Sequence, residues 1–368
     1  MRLVIGGGGT GGHLYPGLAV AQAFKQRDPQ TEVLFIGSAA GIEVEVLPRE
    51  GFPLVQIAIR GIVGKRGWGK VQALSRLPLA LGQALVILSR FRPDLVLGVG
   101  GYVSGPVITA AFLLRIPRLI HEQNLIPGMT NRLLGAIANR VAISFPDSAL
   151  YFPTQKTVFT GNPVRPEIIQ RMREKEERSP AETRFRLLIF GGSQGAHSLN
   201  MAMLEALPAL RPCKESLVIT HQTGKADWQM VQEAYAREGF RATVVPFIRD
   251  MGGAYAAADL VICRAGATTL AELSACGKAA LLIPYPYATH NHQEINARNW
   301  QKMGAADLIL DNELCGDVLA EKIRFYGEHR EKLARMAAQS KRMGSPDATD
   351  RLVELCIMVA EVRRSGYR

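Results

Sequence analysis

Two glycine-rich loops constrain this chain more than any other feature. GGGGTGGH, Gly6 to His13, follows the apolar run Leu3, Val4, Ile5; GGSQGA, Gly191 to Ala196, follows Leu187, Leu188, Ile189, Phe190. Each stands between an apolar strand pattern and a helical one. Glycine lets backbone N–H groups approach an anion closely, and the following helix points its positive end at the same place. Two such loops, about half the chain apart, predict two nucleotide-type domains facing each other across a cleft. The 368 residues are enough for two separate cores.

Short apolar runs alternate with helical patterns through both halves. In the first, strands are predicted at Leu3 to Ile5, Val33 to Ile36, Leu54 to Ile59, Leu95 to Val99, Arg118 to His121, Arg140 to Ser144 and Thr157 to Phe159, with helices such as Pro16 to Arg27 and Gly105 to Leu114. A charged, proline-bearing stretch from Pro166 through Arg184 interrupts the pattern, which then restarts with strands at Arg186 to Phe190, Leu217 to Thr220, Thr243 to Pro246, Leu260 to Cys263, Ala280 to Pro284 and Asp307 to Leu310. This alternation predicts an α/β fold of two Rossmann-like domains with parallel sheets. The expected domains are 1–165 and 166–346, with a last helix within 347–368 crossing back onto the first.

The five cysteines form no Cys-x-x-Cys pair, so neither a zinc site nor a disulfide framework is expected, and reduced thiols in a cytoplasmic protein fit best. No signal peptide is expected, and no apolar stretch reaches the ~20 residues that a bilayer span needs. The net charge of +11 is concentrated early, with no acid between Glu50 and Asp94 but with Arg60, Lys65, Arg66, Lys70, Arg76, Arg90 and Arg92. Ile62, Val63, Trp68, Leu74, Leu77, Leu79 and Leu81 are interleaved among these bases. A solvated basic face accounts for the charge alone. Nucleic acid is not expected as a partner, because no recognised module accompanies the charge. The apolar residues bring docking onto an anionic membrane surface level with the solvated face.

Gly6, Gly8 and Gly11 match Gly-x-Gly-x-x-Gly, but a NAD site also wants an acid at the end of the second strand, which here ends Ile36, Gly37, Ser38. His13 closes the loop at the helix start. A histidine there has a lowered pKa for structural reasons alone; beside an anion loop it also suits a general base held neutral. GGYVSGP (Gly100 to Pro106) and HEQN (His121 to Asn124) follow predicted strands, where α/β sheets bind ligands. In RAGATTLAE, Arg264 to Glu272, Thr269 and Glu272 fit a capping box, and Glu272 equally fits a bidentate acceptor for a ribose diol. His290 and His292 lack a third metal ligand, and no Asp-x-Asp pair occurs. Phosphate charge is therefore expected to be met by loops, helix ends and Arg165 or Arg264.

GGTGGH, GGYVSGP, HEQN, GNPVR (Gly161 to Arg165), GGSQGA, PFI (Pro246 to Ile248), Gly-Ala-x-Thr-x-x-Glu and HQxxNA occur together and in this order. Over nearly its whole length the chain resembles the MurG family, the UDP-N-acetylglucosamine:undecaprenyl-diphosphoryl-muramoyl-pentapeptide N-acetylglucosaminyltransferases of bacterial peptidoglycan synthesis. The resemblance implies a GT-B fold and transfer of N-acetylglucosamine to the 4-hydroxyl of a lipid-linked muramoyl sugar, with inversion to a β linkage. It implies donor contacts from Thr10, Gly11, Gly12, Asn124, Arg165, Ser193, Gln194, Ile248, Glu272, His292 and Gln293. Ile248 backbone would read the uracil, Glu272 the ribose, and His292 and Gln293 the sugar hydroxyls. Gly9, Tyr102, Ser104, His121 and Asn131 would meet the acceptor. His13 is the implied base and Glu122 its rival. No cofactor or metal is implied. The implied setting is peripheral, on the cytoplasmic face of the inner membrane, docked through the 60–92 region, with cell-wall synthesis proteins as possible partners. The family commonly has Asp at the position of His290, and Gln or His at that of His292. Another GT-B enzyme acting on a different sugar or lipid, a UDP-N-acetylglucosamine 2-epimerase and a basic nucleic-acid-binding protein are the competing readings.

Overall fold

Strands built from Leu, Val, Ile and Phe have no face to give to water and are stable only in sheets covered on both sides. The computed structural model describes residues 1–59, 75–174 and 184–365 and contains two such sheets, in two compact units, Met1–Arg165 with Pro346–Arg368 and Pro166–Ser345. The first sheet comprises β1 (Arg2–Gly6), β2 (Glu32–Gly37), β3 (Leu54–Gln56), β4 (Leu95–Gly98), β5 (Arg118–Glu122), β6 (Arg140–Ile143) and β7 (Thr157–Phe159), in the order β3-β2-β1-β4-β5-β6-β7. The second comprises β8 (Phe185–Phe190), β9 (Leu217–Gln222), β10 (Ala242–Val245), β11 (Leu260–Cys263), β12 (Ala279–Leu282) and β13 (Asp307–Leu308), in the order β10-β9-β8-β11-β12-β13.

All of these strand pairs are parallel. Parallel strands put all their C-terminal ends on one edge. In each sheet the strand order reverses beside the first strand, between β1 and β4 and between β8 and β11, and ligands of open α/β sheets bind outside the strand ends at such a point. Both glycine loops leave the sheet there, after β1 and after β8.

The helix Ala348–Ser365 belongs to the first unit. Its Leu352, Val353 and Cys356 share a buried cluster with Leu3, Ile5 and Leu18, and Arg27 donates to Asp350 and Glu354. Two helices begin earlier than their prolines suggest: Gly11–Arg27 and Gly101–Leu113 enclose Pro16 and Pro106 at the sixth position. A proline is easiest to accept in the first turn, where its missing N–H is unpaired anyway. Here each helix runs one turn further back, into its glycines, so that His13 and Tyr102 become helical.

Of the basic segment, Arg60, Ile62, Val63, Lys65, Arg66, Trp68, Lys70 and Leu74 lie outside the described residues. The helix Leu77–Phe91 that follows buries Ala80, Ala84 and Leu88 at helical spacing and exposes Leu79 and Val86. Among the described residues no helix is long and apolar enough to cross a membrane.

Candidate active site

In the second unit the loop after β8 is shaped by backbone meeting backbone. Gly192 and Gly195 have φ of 95° and 79°, values that favour glycine. A Cβ on Gly195 would lie 1.9 Å from the Thr223 carbonyl oxygen, and one on Gly224 would lie 2.1 Å from that of Gln194. No side chain fits between these segments. Ser193 and Gln194 are left exposed on the outer side, ahead of the helix His197–Leu210, whose N-cap Ala196 makes no side-chain cap. The first N–H groups of that helix are thus uncapped by side chains, as an anion site requires.

Gln222, at the end of β9, ties this loop to the next segment. Its Nε2 donates to the Gly192 carbonyl at 2.8 Å and its Oε1 accepts from the Ile248 N–H at 2.8 Å. No motif singles out this buried glutamine; its one sequence signal is a polar side chain at the end of a strand. The Ile248 amide, expected to read uracil, is held by this bond.

Glu272 does not close a capping box. The helix Ala267–Cys276 is capped by Gly266, so Thr269 is its third residue and makes no cap. The buried Glu272 carboxylate instead accepts from Tyr255 Oη at 2.9 Å, and burial, reinforced by Glu272, holds the Tyr255 hydroxyl well above its usual range. Arg264 is also redirected. Its guanidinium donates to the carbonyls of Ile283 and Pro284, to Asp311 and to Ser198 Oγ. Those bonds make it a brace between strand ends and remove it as a phosphate ligand. Gln293 Oε1 accepts from the Tyr285 N–H at 2.9 Å, so its amide N–H groups point elsewhere. His292 Nδ1 donates to the Thr289 carbonyl at 2.8 Å, which puts the lone pair of a neutral ring on Nε2. The side chain of His290 lies outside the described residues.

In the first unit the loop after β1 rests on a carboxylate. Gly8 and Gly9 have φ of 141° and 89°, and Thr10 caps the next helix without a side-chain bond. Glu43, wholly buried, accepts from Gly9 N–H at 2.8 Å and from Ser38 N–H and Oγ, both at 2.9 Å. An acid therefore does stand at the end of β2, delivered by the helix Glu43–Arg49 and committed to backbone. Ser104 is corrected as an acceptor ligand: it is fully buried, and its hydroxyl joins the Gly6 and Gly100 carbonyls and the Gly100 N–H within 2.9 Å. It braces β1 against the helix Gly101–Leu113. Tyr102 sits half-buried in the first turn of that helix.

At the end of β5, burial decides which polar residues can act. Glu122 is 1% exposed and accepts from Asn124 N–H and Nδ2, Gly128 N–H and Asn131 Nδ2. Burial raises its pKa, but four donors and no access to solvent make it the organiser of the 122–131 turn rather than a base. Asn131, likewise buried, spends its amide on Glu122 and the His121 carbonyl, so both it and buried His121 are removed from the acceptor surface. Burial pushes His121 down to about 4. Half-buried Asn124 stays at the edge. His13, half-buried, lies 3.2 Å from Gln123 Oε1. On the same helix Tyr15 carries the Arg165 guanidinium 4.5 Å from its ring centre. The first unit thus gathers Gly9, Thr10, His13, Asn124 and Arg165 along its strand-end edge, and the second gathers Ser193, Gln194, Ile248, Glu272, His292 and Gln293.

The chain matches the glycosyltransferase family 28 N-terminal domain over residues 3–143 and the C-terminal domain of that family over 186–352. It is 48% identical to a UDP-N-acetylglucosamine–N-acetylmuramyl-(pentapeptide) pyrophosphoryl-undecaprenol N-acetylglucosamine transferase of Geobacter sulfurreducens, across 99% of this chain and 100% of that one. The crystal structure of MurG from Acinetobacter baumannii superimposes with a TM-score of 0.76 at 34% identity, covering 97% of this chain and 99% of that one. A UDP-GlcNAc 2-epimerase from Neisseria meningitidis, bound to UDP-GlcNAc, has a TM-score of 0.67 at 14% identity, covering 97% and 100%; that likeness is one of fold alone.

Gly195→Ala has to push apart a pair of abutting backbone segments and adopt a left-handed φ, which alone costs about 1–3 kcal/mol. Its urea midpoint should fall accordingly, and an unchanged midpoint would show that the Thr223 contact is dispensable. Burial also holds His221 neutral, down to about 3, and His121 to about 4, against an ordinary 6.5. Between those values the unfolded chain binds more protons, so this stability is complete above about 6.5 and is lost as pH falls through the folded values. The melting temperature should therefore drop steeply from about pH 7 to about pH 4; a flat profile would contradict the burial of both rings.

Proposed function

The chain belongs to the family of UDP-N-acetylglucosamine–N-acetylmuramyl-(pentapeptide) pyrophosphoryl-undecaprenol N-acetylglucosamine transferases, and on that premise we propose that it makes the corresponding glycosidic bond. N-acetylglucosamine passes from UDP-N-acetylglucosamine to the 4-hydroxyl of the muramoyl sugar of a polyprenyl-diphosphate-linked pentapeptide, with inversion to a β linkage. The observation that carries this reading is the 48% identity over nearly the whole length of both chains, joined to a matching set of groups at the strand ends of each unit.

The second unit is the donor side. The loop 191–196 and the uncapped start of the helix His197–Leu210 take the diphosphate, with Ser193 and Gln194 as side-chain donors. Glu272, its position fixed by Tyr255, accepts from the ribose hydroxyls. Ile248 backbone faces the uracil, and His292 and Gln293 meet the sugar hydroxyls. As the C1–O bond to UDP breaks, negative charge grows on the diphosphate. N–H groups already aimed there stabilise that charge without reorganising.

The first unit is the acceptor side, with Gly9 and Tyr102 near the lipid diphosphate. His13 removes the 4-hydroxyl proton as the new bond forms. Unlike Glu122, its ring is half-buried rather than sealed in. The acid-free stretch and the exposed Leu79 and Val86 support peripheral docking of this unit on an anionic membrane surface, at the cytoplasmic face where the lipid acceptor is met.

Transfer of labelled N-acetylglucosamine to a short-chain lipid-linked muramoyl-pentapeptide tests the whole reading, with UDP-glucose and UDP-galactose as poor donors. Formation of UDP-N-acetylmannosamine without transfer would identify an epimerase instead. His13→Ala should lose about 10²–10⁴-fold in kcat with the donor KM held, the usual worth of a positioned base; full turnover would remove His13 from that role. Changing Lys65, Arg66 and Lys70 to Glu should abolish sedimentation with anionic vesicles, since each basic residue contributes about 1 kcal/mol there. Undiminished sedimentation would move the membrane face elsewhere.

A further inference from the structure

Building on the reading of His13 as the base, we propose that Gln123 is a positioning residue whose amide sets the tautomer of His13, placing the proton on Nδ1 and the proton-accepting lone pair on Nε2. Gln123 is 1% exposed and follows β5 directly. Its Nε2 lies 2.8 Å from the Val99 carbonyl oxygen. A carbonyl oxygen only accepts, so the amide nitrogen, not its oxygen, must face Val99. That orientation puts Oε1 on His13 Nδ1, at 3.2 Å. An amide oxygen also only accepts, so His13 Nδ1 carries the hydrogen. A neutral imidazole has one N–H, and Nε2 is left with the lone pair.

The opposite side of the amide is fixed with equal force. Its second N–H faces His121 Nδ1 at 3.2 Å. His121 Nε2 lies 3.2 Å from the Gly161 carbonyl, which only accepts, and 3.2 Å from Ser144 Oγ, whose own hydrogen goes to the Glu122 carbonyl at 2.9 Å. His121 Nε2 is therefore the protonated nitrogen, and Nδ1 is an acceptor for Gln123. Burial keeps this ring neutral, down to about 4, so the direction of the chain does not reverse near neutrality. Backbone carbonyls terminate the network at Val99, Gly161 and Glu122, and the second Gln123 N–H also has the His121 carbonyl within 3.4 Å. Turning the Gln123 amide over would set oxygen against the Val99 oxygen and leave two acceptors facing each other at His121 Nδ1.

Gly100 completes the seat. A Cβ there would stand 2.7 Å from His13 Nδ1, so the imidazole reaches Gln123 only across a bare backbone. Gln123 touches neither donor nor acceptor in this scheme. It acts by holding His13 in the one form able to take a proton through Nε2.

The test uses the full-length chain labelled with ¹⁵N-histidine, at a pH where the imidazoles are neutral. His13, identified by the signal lost in His13→Ala, should show a protonated Nδ1 and an unprotonated Nε2. The reverse assignment overturns the proposal, whatever the variants do. Gln123→Leu should lower kcat by about tenfold or more, a share of the worth of a general base, with the KM for UDP-N-acetylglucosamine unchanged and the Nδ1–H preference of His13 lost. Full kcat in Gln123→Leu alongside an inactive His13→Ala would overturn the positioning role and leave the base intact. Full turnover in His13→Ala would instead overturn the base reading on which the proposal rests. If Gln123→Leu does not fold, the wild-type spectrum alone decides.

Discussion

A strand covered on both faces has no room for an unpaired polar side chain, and this constraint organises the protein. β1, β4, β8 and β11 are apolar or glycine beyond their first two residues, so chemistry is displaced to the strand ends. Parallel pairing then collects those ends on one edge of each sheet. The polar groups nearest the sheet are still buried, and each needs a partner at a cost of about 1–3 kcal/mol if it fails to find one. Ser104, Glu122, His121 and Gln222 meet this need with backbone or neighbouring side chains, and Asn131 meets it through its amide nitrogen alone. What is left at the outer margin is a short set of groups able to meet a ligand.

The two glycine loops solve one problem with different supports. After β8 the backbone of residues 191–195 lies directly on that of Thr223 and Gly224, and Gln222 carries the contact on to Ile248. After β1 the loop is held instead by the buried Glu43 carboxylate through the Gly9 N–H. The carboxyl group that stands where a dinucleotide enzyme would accept ribose hydroxyls is thereby sealed in and committed to Gly9 and Ser38. The first loop is therefore poorly suited to a nucleoside, in keeping with an acceptor role for its unit, while the second leaves its anion-facing surface to uncapped helix N–H groups.

Features set by local pattern are legible in the sequence, and features set by distant contacts are not. The strand–loop–helix units at Gly6 and Gly191 and the alternation around them announce two parallel α/β sheets, because apolar periodicity and glycine placement are local. Pro16 and Pro106 misplace two helix starts, since a proline is read as a first-turn residue although a helix can carry one further in. Glu43 goes unmarked because it reaches Gly9 across 34 residues, and Gln222 because an amide at a strand end carries no motif. The Thr269–Glu272 spacing makes a capping box only if the helix begins at Thr269. Its cap at Gly266 releases Glu272 for Tyr255, 17 residues away. HEQN reads as four equivalent polar residues until burial sorts them: His121 and Glu122 are sealed in, Gln123 bridges two rings, and Asn124 remains at the edge.

The return of the helix Ala348–Ser365 to the first unit has a consequence for biogenesis. Leu352, Val353 and Cys356 fill a cluster begun by Leu3, Ile5 and Leu18, so the first unit is topologically interrupted by the second. Domains usually fold in the order in which they leave the ribosome. Here the order is inverted: residues 166–345 have all they need before residues 1–165 do. The earlier half must wait, with an apolar gap in its core, for the time it takes to synthesise some 180 more residues, roughly 10–40 s at ordinary elongation rates. During that interval the half rich in basic and apolar surface is the one most exposed to nonspecific capture.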